Sequence, residues 1–254
     1  MSKTVVITGA SKGIGKEIAI LFSSKNYNVA IISRNINLLE NTNNELKNIN
    51  KNTDFFQCDI KNIDDIKKTI NKIIERFSTI DILINSAGIS YITPSDEDNS
   101  DKWIEQIEVN LIGTYFFTKE CFLKMKEKNF GRIINISSIY GLIGGECYSA
   151  YCASKHGLNG LTKSLALEYA KYNITVNAIC PSWVETDMFD KDMEELSNYY
   201  KIEKNDLIES ELISSPSGCF TTSNEIAELC LFLSQEYAKN ITGQLINISG
   251  GLGI

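Results

Sequence analysis

Tyr151, Lys155 and Ser138 carry side chains that could together perform acid–base chemistry on a small molecule. Tyr151 and Lys155 are four residues apart in a segment of helix-forming residues, so the phenol and the ammonium are predicted to share one helix face. A free tyrosine loses its proton near pH ~10, and a nearby cation favours the phenolate. The pair is therefore predicted to act as an acid and base with a lowered tyrosine pKa. Ser138 follows the apolar run GRIINIS, a predicted strand, and its hydroxyl is expected at that strand's carboxyl end, where open α/β sheets bind ligands.

The Tyr-x-x-x-Lys spacing is weak evidence when taken alone, because such pairs also occur on solvated helix faces. The surrounding elements strengthen it. Short apolar runs, beginning with TVVIT at Thr4–Thr8, alternate with amphipathic helical segments. Strands that are apolar on both faces and separated by helices predict a parallel sheet covered on both sides. The predicted fold class is therefore α/β, a single-domain, Rossmann-type doubly wound sheet over residues 1–254 with helices on both faces.

Two segments differ from the simple alternation. Residues 101–129 are predicted to form one long helix. The segment at about 187–222 is polar, irregular and predicted to be partly helical. Insertions of this kind in a compact domain are usually lids or binding loops, so we expect this segment to border a substrate.

Composition restricts the partners and the compartment. The net charge of −7 and the pI of about 5.0 argue against a nucleic-acid partner, because phosphate binding needs a basic face. The seven cysteines form no C-x-x-C pair and no zinc spacing, which predicts reduced thiols in a cytoplasmic protein. The absence of a zinc spacing also means that we expect no metal partner. No stretch approaches the length needed to cross a membrane, so we expect no membrane partner.

The turn after the first predicted strand has the composition of a phosphate-binding turn. Gly9, Gly13 and Gly15 separate TVVIT from the helical segment KEIAILFSSK. Glycines let the backbone approach a pyrophosphate, and a helix N-terminus offers free amides and the positive end of its dipole. In an alternating α/β chain this placement predicts a bound dinucleotide.

The end of the second predicted strand indicates which dinucleotide binds. NAD-selective sites place a carboxylate there for the ribose hydroxyls. This chain has Ser33 and Arg34 instead, with Lys12 inside the glycine turn. Two cations and no carboxylate favour a 2′-phosphate and predict NADP(H); the alternative is that both are ordinary surface charges.

With these features the chain resembles the short-chain dehydrogenase/reductase family from Thr4 to Gly251. TGASKGIG at Thr8–Gly15 matches the family's cofactor turn, and four residues match its catalytic residues in order: Asn110, Ser138, Tyr151 and Lys155. The resemblance implies cofactor contacts from Gly9, Ser11, Lys12, Gly13, Ile14, Gly15, Arg34, Asp59, Ile60, Asn85, Ala87, Gly88, Tyr151, Lys155, Pro181, Val184 and Thr186. Ser86 and Ser182 depart from the family pattern, where an Asn and a Gly are usual, and Ser182 puts the turn near the nicotinamide in question.

The resemblance also implies a mechanism. Tyr151 would donate a proton to a carbonyl oxygen held by Ser138 while the nicotinamide delivers a hydride. Lys155 would lower the tyrosine pKa and bind the ribose, and Asn110 would order a proton-relaying water. No metal is required.

Within the family the chain looks most like reductases of 3-oxoacyl thioesters, including polyketide ketoreductases. The 3-hydroxybutyrate dehydrogenases, which are commonly NAD-linked, share a similar long segment and are the alternative. A dinucleotide-binding regulator without turnover is the alternative of another class; such proteins generally lose the Tyr or the Lys, and this chain keeps both. Family members usually assemble as tetramers, so a homotetramer is expected.

Overall fold

The computed structural model describes residues 2–253 and places seven parallel strands in one sheet. Their spatial order is β3-β2-β1-β4-β5-β6-β7. The strands are β1 (Thr4–Thr8), β2 (Asn28–Ser33), β3 (Thr53–Gln57), β4 (Ile82–Asn85), β5 (Gly131–Ile136), β6 (Ile174–Pro181) and β7 (Leu245–Ile248). Because β1 pairs with both β2 and β4, the chain reverses its winding direction at β1, and a crevice opens there at the carboxyl ends of the strands.

Helices cover both faces of the sheet, as the sequence predicted. They are α1 (Gly13–Ser24), α2 (Ile36–Ile49), α3 (Ile63–Phe77), α4 (Ser100–Ile107), α5 (Thr114–Glu127), α6 (Ser149–Tyr169), α7 (Asp187–Tyr200), α8 (Lys204–Ser214) and α9 (Ser223–Leu233). Alternate residues of a strand point to opposite faces. Val6 on β1 accordingly packs in the core beneath α3 and α5, whereas Val5 and Ile7 pack in the core beneath α1 and α9. Burial on both faces explains why the strands read as continuous apolar runs.

The long helix predicted at residues 101–129 is present as a continuous helical segment over Ser100–Glu127, but it is not α-helical throughout. A π-helical turn, Glu108–Gly113, separates α4 from α5. The buried side chain of Asn110 lies in this turn. At its end a Cβ on Gly113 would come within 2.7 Å of the Ile60 carbonyl oxygen, so a glycine is needed where the helix crosses the end of β3.

The segment after Pro181 is more regular than predicted, since it contains the two helices α7 and α8. Thr186 caps α7, accepting a hydrogen bond from the Phe189 N–H at 3.5 Å, and Asp187 places negative charge in the first turn. The two helices cover a third apolar cluster that includes Tyr148, Phe189 and Met193. This cluster lies over the carboxyl end of the sheet. All seven cysteines are free thiols, as predicted.

Candidate active site

The glycine turn between β1 and α1 is closely packed and open to a ligand. Gly9 has φ +69°, and a Cβ there would lie 2.7 Å from the Ala87 backbone. A Cβ on Gly15 would lie 2.5 Å from the Gly9 carbonyl oxygen. Only glycine fits at both positions. The first turn of α1 carries no acidic residue and has no side-chain cap on its amides, so its N-terminus is available to an anion.

A cleft of about 380 Å³ runs from this turn along the carboxyl ends of the strands. That volume lies within the ~300–1,000 Å³ usual for small-molecule sites. The predicted cofactor residues on its wall are Gly9, Ser11, Lys12, Gly13, Ile14, Gly15, Arg34, Asp59, Ile60, Ala87, Gly88, Tyr151, Lys155 and Thr186. Residues that are distant in sequence therefore meet as the motif predicted.

Three predicted cofactor residues lie elsewhere. Pro181 and Val184 line a second cavity, described below. Asn85 lines neither cavity: its buried Nδ2 donates to Thr118 Oγ1 and to Asn135 Oδ1, both at 2.8 Å. The predicted contact of Asn85 with the cofactor stays a prediction. Asn85 ties β4 to β5 and α5 and so holds the neighbouring Ala87 and Gly88 in place.

The two cations predicted to select a 2′-phosphate lie at the same edge of the cleft, each facing a carboxylate. Lys12 Nζ lies 2.9 Å from Asp187 Oδ2, and Arg34 Nη1 lies 3.7 Å from Glu105 Oε1. All four side chains are partly or largely exposed, so these pairs are weak and a phosphate could replace the carboxylates. Ser11 Oγ donates to Ser33 Oγ at 3.0 Å beside them.

Lys155 and Tyr151 meet at the centre of the cleft, as predicted from their spacing. Lys155 Nζ donates to the Ile136 carbonyl at 2.9 Å and lies 5.5 Å from the centroid of the Tyr151 ring. Ser138 Oγ accepts from the Tyr140 N–H at 3.1 Å just after β5 and interacts with the Tyr151 hydroxyl. A Cβ on Gly88 would lie 3.7 Å from Lys155 Nζ, so the loop after β4 closes the site on the opposite side.

Asn110 supports this loop through its side chain. Its Oδ1 accepts from the Ile89 N–H at 2.9 Å, and its Nδ2 donates to the Ile89 carbonyl at 2.9 Å and to Ser154 Oγ at 3.1 Å. Both amide hydrogens are thus used in fixing the loop and α6. Asn110 lines neither cavity, and its predicted role in ordering a water stays a prediction.

The direction of the tyrosine pKa shift is opposite to the one predicted. Burial raises the pKa of Tyr151 above its usual value, the nearby Asp192 carboxylate raises it further, and the hydrogen bond with Ser138 only partly offsets them. The prediction of a lowered pKa is therefore wrong for this structure, because burial and the Asp192 carboxylate outweigh the hydrogen bond with Ser138. A raised pKa keeps the phenol protonated at neutral pH, which suits a proton donor. Burial also lowers the pKa of Lys155 to about 8.

A second cavity adjoins the cleft and shares Tyr151 and Thr186 with it. Its wall is aromatic: the rings of Tyr140 and Tyr148 stack with centroids 5.0 Å apart, and Trp183 lies edge-on to them at 6.0 and 6.1 Å. The remaining wall residues include Ser138, Ser182, Phe189 and Asp192. Sequence reasoning missed the aromatic residues and Asp192, because they come from separate segments with no shared motif.

A family model described as short chain dehydrogenase matches residues 3–197. The chain belongs to the short-chain dehydrogenase family. It is an NAD(P)-dependent oxidoreductase that acts on C=O and CH–OH groups.

The relatives of this family member include proteins named as reductases and a "D-beta-hydroxybutyrate dehydrogenase" of Rhizobium meliloti, which is 32% identical, with 99% of this chain and 98% of the relative covered. A "Putative ketoacyl reductase" of Streptomyces coelicolor is 34% identical, the match covering 99% of this chain and 97% of the relative. The "3-oxoacyl-[acyl-carrier-protein] reductase FabG" of Buchnera aphidicola is 36% identical, with 98% and 97% covered. A solved variant of actinorhodin polyketide ketoreductase with NADPH superposes with a TM-score of 0.95 at 34% identity, with 99% and 97% covered.

Within residues 2–253, no helix has the length and apolar character to cross a membrane.

Proposed function

We propose that this dehydrogenase uses NADPH to reduce the 3-oxo group of an acyl thioester to a secondary alcohol. The observation that carries the proposal is the position of Tyr151, which lies on the wall shared by the cofactor cleft and the second cavity. A carbonyl in the second cavity can therefore face both the phenol and a nicotinamide in the cleft. The names of the two reductase relatives and of the solved ketoreductase support a 3-oxoacyl substrate.

The cofactor of this chain is NADP(H). The glycine turn with its uncapped helix N-terminus suits the pyrophosphate, and Lys12 and Arg34 at one edge of the cleft suit the 2′-phosphate. The solved ketoreductase holds NADPH in the same fold. The bound nicotinamide supplies the hydride; every other part of the reaction falls to side chains of this chain.

Tyr151 and its neighbours handle the oxygen of the substrate. The Ser138 hydroxyl and the Tyr151 hydroxyl converge where the carbonyl oxygen would lie, so both can donate hydrogen bonds to it. As negative charge develops on that oxygen, Tyr151 transfers its proton to it. The Lys155 ammonium, fixed by the Ile136 carbonyl, then stabilises the resulting phenolate.

The alternative of a 3-hydroxybutyrate dehydrogenase fits the second cavity less well. A free carboxylate on the substrate would need a cation or several donors. Asp192 is the charged residue among the described residues that line this cavity, and its negative charge would repel a carboxylate. The alternative of a regulator without turnover is disfavoured because Ser138, Tyr151 and Lys155 are all in place.

The experiment that tests the proposal follows NADPH consumption with an acetoacetyl thioester and with free acetoacetate, each repeated with NADH. We expect turnover of the thioester with NADPH and much slower turnover of acetoacetate. Faster turnover of acetoacetate with NADH would contradict the proposal in favour of the hydroxybutyrate alternative. NADPH binding without turnover of any carbonyl compound would favour the regulator.

We propose further that the protein works in the cytoplasm, in fatty-acid or polyketide metabolism, as a homotetramer. Exposed apolar side chains on α4, α5 and α6 support the assembly: Trp103, Ile104, Leu123 and Leu167. Light scattering after gel filtration should give a mass about four times that of the chain, and a monomer mass would contradict this part of the proposal.

A further inference from the structure

Asp192 is a buried carboxylate beside the proposed reaction centre. It lies on α7 with only 2% of its surface exposed, and it lines the second cavity together with Tyr151. Its Oδ1 has no hydrogen-bond partner in the structure. Burial of an unpaired carboxylate oxygen is costly, so such an atom at the wall of a cavity indicates a ligand that pairs with it.

Two other polar atoms share this environment. The Tyr148 hydroxyl and the Ser90 hydroxyl are buried, and neither has a partner that meets hydrogen-bond geometry. Burial raises the pKa of the Asp192 carboxyl to about 6, while weak hydrogen bonds from the Ser90 and Tyr148 side chains and the charge of Lys191 lower it. The Ser90 hydroxyl, the Tyr148 hydroxyl and the Asp192 carboxylate therefore lie close together, and each can form further hydrogen bonds. Tyr148 and Asp192 both line the cavity, so a ligand there reaches both.

The rest of the wall restricts what the ligand can be. Tyr140, Tyr148 and Trp183 form apolar ring surfaces, and Trp183 Nε1 donates to Glu211 Oε2 at 2.8 Å behind the ring. The described residues lining the cavity include no lysine, arginine or histidine. The acidic groups Asp192 and Glu211 therefore give the cavity a negative potential, which attracts hydrogen-bond donors and repels carboxylates.

The position of Asp192 is not explained by the needs of its helix. Thr186 and Asp187 already serve the N-terminus of α7. The adjacent Lys191 makes its direct contacts elsewhere, since its Nζ lies 3.5 Å from Glu195 Oε1 and donates to the Ser90 carbonyl at 3.3 Å. Its charge nevertheless lowers the pKa of the Asp192 carboxyl.

We propose that Asp192, assisted by Tyr148, binds a hydrogen-bond donor on the substrate, a hydroxyl or a protonated amine, on the side of the reacting carbonyl that faces away from the cofactor. The inference rests on the proposed function in one respect: the molecule bound in this cavity is the carbonyl compound that is reduced. Within that function it predicts a preference for 3-oxoacyl compounds whose acyl chain carries a donor substituent a few bonds from the 3-oxo carbon.

The test uses four methyl ketones that differ in their far end: 2-pentanone, 4-hydroxy-2-butanone, 4-amino-2-butanone and levulinate. Their NADPH-dependent kcat/KM is measured with the wild type, with Asp192→Asn and with Tyr148→Phe. We expect the wild type to prefer the hydroxy or the amino ketone over 2-pentanone by about tenfold or more, because hydrogen bonds to a charged group are strong. Levulinate should be the poorest substrate. The better of the two donor ketones identifies the donor.

Asp192→Asn removes the charge at constant size. It should lower kcat/KM for the preferred donor ketone by about tenfold relative to 2-pentanone and raise kcat/KM for levulinate relative to 2-pentanone. Tyr148→Phe should lower the same preference to a smaller extent. The matched control is Asp190→Asn on the same helix, where the exposed carboxylate pairs with Lys204 and the preference should not change.

A purely structural carboxylate gives a different result: Asp192→Asn would then lower the melting temperature or slow all four ketones equally, and the inference would be overturned. Turnover of the ketones without any preference overturns it as well, but leaves the proposed function standing. If no carbonyl compound is reduced, the proposed function fails while the inference is still decided by binding. Quenching of Trp183 fluorescence by the four ketones, in a Trp103→Phe background with NADP⁺ present, then shows whether the donor ketones bind more tightly.

Discussion

The cofactor cleft and the second cavity meet at Tyr151 but are built in different ways. The cleft is made of backbone and small residues from the ends of β1 and β4, where Gly9 packs against Ala87. The second cavity is made of large aromatic side chains from the segment after β5 and from α7, with one buried carboxylate. The cleft presents amides to an anionic ligand, whereas the cavity presents aromatic rings and one carboxylate.

This difference explains why the cofactor cleft, but not the second cavity, could be predicted from a sequence motif. Close approach of backbone to a pyrophosphate has few solutions, and all of them use glycine at defined spacing. A cavity for a variable substrate has many solutions, each using different side chains. Variants of Tyr151, which both halves share, and of the cofactor cleft test this comparison.

Replacing Tyr151 by Phe should have the largest effect. Without the proton donor, we expect kcat to fall by about 10²–10⁴-fold, the usual contribution of general acid catalysis. NADPH affinity should change little. Steady-state rates and NADPH fluorescence titration measure the two quantities. The control is Tyr169→Phe, a buried tyrosine of the same helix that stacks on Phe122 away from the site. Unchanged turnover in Tyr151→Phe would show that another group donates the proton.

Gly9→Ala tests the cofactor half. The added Cβ would meet the Ala87 backbone at 2.7 Å at a φ of +69°, so the turn must shift. We expect a loss of stability of about 1–3 kcal/mol and a fall in NADPH affinity of at least tenfold, measured by thermal unfolding and titration. Gly160→Ala is the matched control, because a Cβ there meets nothing within 4 Å in the exposed face of α6. It should stabilise the protein by about 0.5–1 kcal/mol.

Arg34→Asp tests the choice of dinucleotide. A carboxylate at the end of β2 repels the 2′-phosphate, so the dissociation constant for NADPH should rise by about tenfold or more, while that for NADH stays the same or falls. Lys51→Asp makes the same charge change in the exposed loop before β3 and should not alter the preference. If the ratio of the two constants does not move in Arg34→Asp, the cofactor is selected elsewhere.

The pH dependence of reduction has the smallest expected effect and concerns the boundary between the halves. The pKa of Lys155 is lowered by burial to about 8, whereas that of Tyr151 is raised, so Lys155 is the first of the two to lose its proton as the pH rises. Below that pH the ammonium is present; above it the phenolate formed in the reaction loses its cation. The rate of reduction should halve near pH 8 and continue to fall, as a kcat/KM profile against pH will show. A profile that stays flat to pH 10 would exclude this role of Lys155.

The alternation of apolar runs and helices was sufficient to predict the parallel sheet, and local spacing was sufficient for the glycine turn and for the Tyr151–Lys155 pair. These features depend on short-range geometry, namely the helical repeat, the alternation of strand faces and the conformational freedom of glycine. Arg34 likewise could be predicted, because it directly follows β2 and the order of the elements defines that position.

Other features depended on packing between distant segments. The π-helical turn at Asn110 arises where the helix crosses β3 at Gly113, and the raised pKa of Tyr151 arises from burial beneath α7. Asn85 turned inward because Thr118 and Asn135 lie within reach only in the folded sheet. Asp192 and Tyr148 are 44 positions apart and meet only when α7 closes over α6. Burial and long-range contact are properties of the whole chain, so the tertiary structure alone decided them.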